Sequence, residues 1–592
     1  MTSNDDNTGK KHVKFMKTCL IPKLMPYKEL MAKVNAINIG TLHDVRETLC
    51  DGLDDSDKVD GKYSNLTELL LRLAQFYLEV HKHRVDKLNW FGKGVGSFKV
   101  AIGGDGAPFG KDDTALSWLV SFLNCGPRIC SHKENFLLRG ANCKEDCEPI
   151  RRYVCKRKPS PVNVDGKDIT VSFSFEMFPN NMKYFAILAG ELSNSAKYFS
   201  SFANTNKDDI GDVTATFGVK TSNKWQPWGY AQRIAVAGAV AKKKEELGSS
   251  GSHLKPATIR QKVTSFIAQK KSRQEFLPLL GKAIDKVKVE PLHVKNNGWQ
   301  KWHSTVLKYV LARTNVSSCE SVNDTPASSC FKWYYETVRF TLKAGRLAKK
   351  VRKWFCDGRL KNKDLEYRFI GKESLIMCHQ FMTLLSALEL EDDQPVHNFA
   401  LHVCATIAVN LRDSVSIFSR IKVTDKEVTS LTGVTRNYFR ACALFSSVSP
   451  TTWTIGHCVA AHTKQIKQEL GVGLGVNTME GRESKHVSLA RFARNTHHST
   501  PWVQVFRHEY ISLIWLRENR SDLVKHTPTR NKYIPARCFT VTFCHCGNQK
   551  PRGEVKCTFC SHPIQQTIDD CIKQGKLTAQ AKSLAANARG LI

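Results

Sequence analysis

The chain has 592 residues, with 88 lysines and arginines against 55 acids, a formal charge of +33. That length supports about two to four domains with proper cores, and the charge fits a partner with many phosphates, nucleic acid first, far better than a small metabolite. The basic residues are spread over the whole chain rather than gathered into a membrane anchor; no apolar run reaches the roughly 18 residues of a spanning helix, and the opening MTSNDDNTGKK has no signal-peptide apolar region. Most of the 20 cysteines stand singly, the pattern of a reducing, intracellular compartment.

Residues 1–94 read as a mainly helical N-terminal region. Asn65 and Glu68 are placed to cap a helix whose Leu69, Leu70, Leu73, Phe76 and Tyr77 fall on one apolar stripe. Gly92, Gly94 and Gly96 lack the Gly-Lys-Ser/Thr of a phosphate loop, so no nucleotide site is assigned there. The segment SFKVAI, residues 97–102, predicts a strand running into GGDGAPFG, with Asp105 at its end between Gly104 and Gly106. Locally this is either an Asp-Gly turn or an acid whose small neighbours let a metal and a phosphate approach closely. Val171, Phe173 and Phe175 alternate as in a half-buried strand, and a helix follows from about Asn180. Residues 225–271 are basic and weakly patterned, with Lys242 to Lys244 and a linker-like GSSGS, and read as a flexible excursion from the core.

The densest positive stretch holds Lys343, Arg346, Lys349, Lys350, Arg352 and Lys353, then Trp354 and Phe355, then Arg359, Lys361 and Lys363. It is either a solvated face or a helix that follows a phosphate backbone and ends in aromatics able to stack on a base. On the second reading Lys349, Lys350, Arg352 and Lys353 contact DNA. Residues 369–411 are apolar and helical, the core of an insertion. Further on, His457 and His462 stand at i and i+5, before a turn at Gly471, Gly473 and Gly475. A second helix then brings Glu480, Glu483 and His486 near one face with Arg491 and Arg494. The same spacing describes an ordinary solvated helix. Near the C-terminus Cys544-x-Cys546, ten residues, and Cys557-x2-Cys560 form the two short knuckles that four thiolates around tetrahedral zinc require, with His545 or His562 as a possible substitute ligand. A fully occupied shell leaves no position for water, so the expected role is structural. Residues 571–592 read as a frayed basic helix.

Asp105, the segment FSFEMFPNNMK (173–183), the pair His457 and His462, and MEGRES (479–484) continuing into FARN together resemble the catalytic core of the V(D)J recombination-activating catalytic subunit and its Transib transposase relatives. The resemblance spans roughly residues 95–515. It implies an α/β chain with a ribonuclease-H-like core, in two parts (95–300 and 451–515), interrupted by a large mainly helical insertion (301–450). A zinc-ribbon-like unit and tail occupy 516–592. It also implies an Asp-Asp-Glu site for Mg or Mn at Asp105, Asn181 and Glu483, in which Asn181 offers a neutral oxygen where the family has an acid. Glu290, in VKVEPLHVK, and Glu480 are the backup acids, with Glu176 a further candidate. In the family the two histidines share zinc with a Cys-x2-Cys pair; the matching positions here are Ser200 and Ala203, which cannot ligate it. The partners implied are DNA, a second copy of the chain and an accessory subunit, in the nucleus. Two functions follow as expectations: a DNA-binding transposase or recombinase with a degenerate metal site, or a non-catalytic, zinc-containing DNA-binding descendant.

Overall fold

The computed structural model describes residues 25–83, 85–108, 114–156, 162–165, 170–249, 254–359, 365, 367–389, 394–494, 501–518 and 541–592. The chain divides into two compact units, Met1–Thr41 and Leu42–Ile592. The described part of the first holds one helix, Tyr27–Ala36, with no buried residue.

The second unit is mixed α/β. Its described residues form seven strands, β1 (Leu42–Asp44), β2 (Gly61–Ser64), β3 (Ser97–Pro108), β4 (Thr114–Phe122), β5 (Phe136–Ala141), β6 (Val162–Asp165) and β7 (Thr170–Met177). They form one sheet in the order β1-β2-β5-β4-β3-β7-β6. Among the described strands, β3 and β7 pair in parallel and every other neighbouring pair is antiparallel. The N-terminal region therefore adds two strands, β1 and β2, that its helical reading omitted; LHD and GKYS are too short to show a period of two. Along β7 the predicted alternation holds, with Val171, Phe173, Phe175 and Met177 buried. Phe98 on β3 lies 4.6 Å from Phe122 and 5.8 Å from Phe173, ring centre to ring centre, and closes the core beneath the sheet. Helix α1 (Leu66–His83) covers that core through Leu70, Leu73, Phe76 and Tyr77. Each such side chain contributes about 1.5–3 kcal/mol of burial. Asn65 caps α1 as expected, its side-chain oxygen accepting from the backbone N–H of Thr67 and Glu68.

Strand β3 continues beyond the stretch that sequence assigned to it. Asp105 pairs with Ser117 inside the β3–β4 ladder and does not sit in an Asp-Gly turn. The glycines before it answer to packing. A Cβ on Gly103 would come within 2.1 Å of the Pro179 carbonyl oxygen, and one on Gly104 within 2.6 Å of the Trp118 ring nitrogen.

After β5 come α2 (Glu148–Lys156) and, past β7, α3 (Met182–Leu188). The stretch read as a flexible excursion folds as two helices, α4 (Tyr230–Ser249) and α5 (Pro256–Gln269), around a small core of Leu192, Val240, Leu247, Val263 and Ile267. Its apolar residues are widely spaced among alanines and lysines, which hid the pattern. Helix α6 (Pro291–Ala312) is buried along most of its length and carries Trp299 and Trp302. The basic helix α7 (Gly345–Lys353) follows, then α8 (Pro395–Phe418), α9 (Asp425–Phe445), α10 (Ala460–Leu470) and α11 (Glu480–Arg494). Near the C-terminus, α12 (Pro563–Gln574) and the helix Ala579–Asn587 bury Ile564, Ile568, Cys571 and Ala581. The expected frayed tail is packed structure.

Candidate functional site

Three chain segments meet at the outer end of β3. Asp105 projects from the strand itself. Asn181 caps α3 just after β7, its side-chain oxygen accepting the Tyr184 N–H at 2.8 Å while its amide donates to Asp105 Oδ1 at 2.9 Å. Glu483 arrives on α11, which Arg482 anchors from inside. That guanidinium is buried and donates to Asn135 Oδ1, the Ala101 carbonyl and Ser121 Oγ. Gly481 permits the contact, because a Cβ there would meet the Ile129 carbonyl oxygen at 2.4 Å. MEGRES is thus a docking segment that sets the place of its second glutamate.

The site holds two residues that sequence reading did not single out. Glu145, in the loop after β5, accepts from the Asn181 amide and from the Gly106 N–H, both at 3.3 Å. His293, on the first turn of α6, lies between two acids, with Nδ1 2.6 Å from Glu290 Oε2 and Nε2 3.1 Å from Glu483 Oε1. His293 was within reach in VKVEPLHVK. Glu145 was not, because CKEDCE offers several acids and no periodicity to choose among them. His486, one turn beyond Glu483 on α11, reaches the same place. Its Nδ1 is 3.3 Å from Ser117 Oγ, and its buried Nε2 makes no hydrogen bond although it stands 3.8 Å from Asp105 Oδ2.

Electrostatics bind the group together. Burial pushes the Asp105 carboxyl up to about 7, with the Glu483 and Glu145 charges adding to the rise against the opposing effects of His293 and Asn181. Burial acts against the charged form of His293, but Glu290 and Glu483 outweigh it and hold the imidazole well above its ordinary value. Partial burial would likewise raise Glu483, yet the His293 hydrogen bond and charge bring it below the usual carboxylate range. Burial drives His486 down to about 4 and keeps it neutral.

The backup acids have other employment. Glu290 caps α6, accepting from the N–H groups of Leu292 and His293, and also accepts from that of Met479. Glu480 pairs with the buried Lys295 at 3.2 Å. Glu176 pairs with Lys286 at 2.9 Å and Lys99 at 3.5 Å.

The oxygens of Asp105, Glu145 and Glu483 are the hard donors that Mg or Mn takes, and the orphaned His486 nitrogen faces the same place. In the described geometry, however, Asp105 and Glu145 already accept from Asn181, and Glu483 from His293.

Among the described residues, the histidine pair has no further histidine, cysteine or acid placed to share a metal with it. His457 lies in a single turn of π-helix inside an aromatic box, its ring 4.8 Å from Trp225, 4.5 Å from Phe439 and 5.4 Å from Trp453. His462 accepts the Val289 N–H at 3.1 Å and meets the Phe202 ring edge-on at 5.0 Å. Burial lowers both imidazoles to about 3. Ser200 is buried and accepts the Phe202 N–H. Aromatic packing occupies this region.

The four C-terminal cysteines do converge. The sulfurs of Cys544, Cys546, Cys557 and Cys560 all lie within 4.8 Å of one another, close to the edges of about 3.8 Å in a tetrahedron of Zn–S bonds. Backbone N–H groups of Asn548 and Cys560 point at Cys546 and Cys557 sulfur, at 3.5 and 3.3 Å, as donors to thiolates. The cluster can hold zinc. Neither histidine substitutes for a cysteine: His545 Nε2 is 2.7 Å from Asp413 Oδ2, and His562 Nδ1 accepts the Ile564 N–H.

On α7, Lys349, Lys350, Arg352 and Lys353 are exposed and unpaired among the described residues, whereas Arg346 is tied to Glu373 at 2.8 Å. Of the two aromatics after it, Phe355 is not free to stack on a base. Phe355 is buried against Phe331, ring centres 4.5 Å apart, and Trp354 is half-buried. Lys361 and Lys363 lie outside the described residues, as does the Arg494 side chain; Arg491 is exposed on α11. Compared with known families and with curated proteins, the chain matches no family model and no curated sequence.

Proposed function

We propose that this is a DNA-binding protein built like an Asp-Asp-Glu transposase or recombinase, whose acid site is degenerate. The observation that carries the reading is the convergence of Asp105, Asn181 and Glu483 from β3, the start of α3 and α11, positions 76 and more residues apart in sequence. A sheet in which β3 lies between antiparallel β4 and parallel β7, with acids at its end, supports the ribonuclease-H-like core expected from the motifs. The net charge of +33 and the exposed cations of α7 support a phosphate-rich partner.

In this reading Asp105, Glu145 and Glu483 would hold Mg or Mn, which supplies the activation of water or a DNA 3′-hydroxyl for attack on a phosphodiester. Asn181 donates to Asp105 and Glu145 without adding charge, so the second position of the triad contributes no carboxylate of its own. Nuclear location, a second copy of the chain and an accessory subunit belong to the same proposal. The test is DNA binding by fluorescence anisotropy across a salt series, together with plasmid nicking in Mg and in Mn. Salt-sensitive binding with weak or absent nicking is the expected result. Binding independent of salt overturns the DNA assignment.

A further inference from the structure

Resting on the reading of this chain as a DNA-binding protein, we propose that Phe340 stacks on an unpaired DNA base beside the basic helix α7. The sequence TVRFT forms a single turn of π-helix, Thr337–Thr341, shortly before α7 begins. That turn buries Thr337 and Val338 and leaves Arg339 and Phe340 outside. Phe340 is 60% exposed. A single exposed aromatic is ordinary in itself, so its surroundings decide what it does.

The Arg339 guanidinium lies over the Phe340 ring, 4.8 Å from its centre, and holds a cation against the ring without burying it. Lys343 follows with a φ of 52°, the left-handed region that glycine fills without steric cost. The Ala344 N–H closes on the Val338 carbonyl at 3.0 Å across this bend, which sets an exposed lysine between the aromatic turn and α7. Helix α7 then adds its exposed Lys349, Lys350, Arg352 and Lys353. From Arg339 to Lys353 the sequence has seven cations and no acid, and among the described residues Arg346 alone of the seven is paired with a carboxylate.

A segment of that charge recognises phosphates. An aromatic face set among phosphate contacts takes a base, because every base has a π-face. Only a base outside the duplex stack can present that face, so the ligand is single-stranded or locally unpaired DNA. The other end of α7 cannot serve in this way, since Phe355 is packed against Phe331. An acidic protein segment would pair with the cations but would leave the ring without a planar partner.

The experiment is fluorescence anisotropy of the full chain with labelled oligo-dT, an intact duplex, and the same duplex carrying an unpaired bulge. Phe340→Ala should weaken binding to oligo-dT and to the bulged duplex about tenfold and leave the intact duplex unchanged. Phe340→Leu, which keeps apolar bulk without a ring face, should behave like the alanine variant, and Phe340→Trp should bind the unpaired probes at least as tightly as wild type. Circular dichroism checks that each variant is folded. Equal loss on every probe, or no loss on any, overturns the stacking role and leaves the DNA reading standing. A poly-glutamate peptide that loses affinity with Phe340→Ala while oligo-dT does not assigns the ring to an acidic protein partner and overturns the proposal. No salt-sensitive binding of any DNA probe by wild type overturns both.

Discussion

An amide at position 181 donates where a carboxylate would accept, and that difference organises the pocket. Asn181→Asp sets a new charge against Asp105, 2.9 Å away, and against Glu145. Without metal this variant should melt a few degrees below wild type, and Mn²⁺ should restore it. With metal it should gain plasmid nicking by tenfold or more, and Glu483→Gln in the same chain should remove the gain. Wild type cutting as well as the Asp variant would mean that Glu145 already completes the site. Asp105 supports a second expectation. Its folded-state carboxyl lies near 7 against an ordinary 3.8, so the stability it contributes is fully present below the ordinary value and is lost as pH rises through 7. Asp105→Asn should therefore raise the metal-free melting temperature at pH 8 by several degrees more than at pH 5. Equal shifts at both pH values, measured by differential scanning fluorimetry, would show that the carboxyl is not held protonated.

Among the elements, α7 joins a buried face of Leu347, Ala348 and Val351 to an exposed face of Lys349, Lys350, Arg352 and Lys353. Changing those four to alanine should leave folding intact and lower the slope of log affinity against log salt by about one per lost phosphate contact; an unchanged slope places DNA elsewhere. The helix and its charge were legible in sequence from the density of lysine and arginine over 343–353; its buried face of Leu347, Ala348 and Val351 was not read there. What the aromatics do was not: Phe355 reads as a stacking group until Phe331, far away in sequence, is found against it. The same contrast runs through the pocket. Asp105, Asn181 and Glu483 were readable through the resemblance of GGDG, FSFEMFPNNMK and MEGRES to the recombinase family, since taken alone those stretches read equally as a turn, a helix start and a solvated helix. Glu145 and the bridge of His293 between Glu290 and Glu483 were not, since those depend on how β5, α6 and α11 approach one another. The strand pair β1 and β2 was missed for the opposite reason, being too short to carry any pattern.

At the scale of the molecule, the cysteine cluster belongs to a single packed body, contrary to its sequence appearance as an appended ribbon. Leu42–Ile592 forms one compact unit. Phe559, between Cys557 and Cys560, stacks on His402 of α8 with ring centres 3.8 Å apart, and Gln565 on α12 donates to Thr406 at 2.8 Å. His545, between the first two cysteines, meets Asp413, while Arg412 donates to the His545 carbonyl at 2.7 Å. Three successive turns of α8 thus hold the residues that flank the cysteines able to hold a metal. Without zinc, four thiols must stay together with no bond to offset their crowding, and the contacts to His402, Thr406 and Arg412 loosen with them. Cys557→Ser with Cys560→Ser should remove about one zinc per chain and lower the main calorimetric transition by about 5 °C or more, because α8 is in the core that the transition melts. A main transition at its wild-type temperature, preceded by a small separate one, would show instead that the knuckles unfold on their own and that their packing on α8 adds little to the stability of the whole.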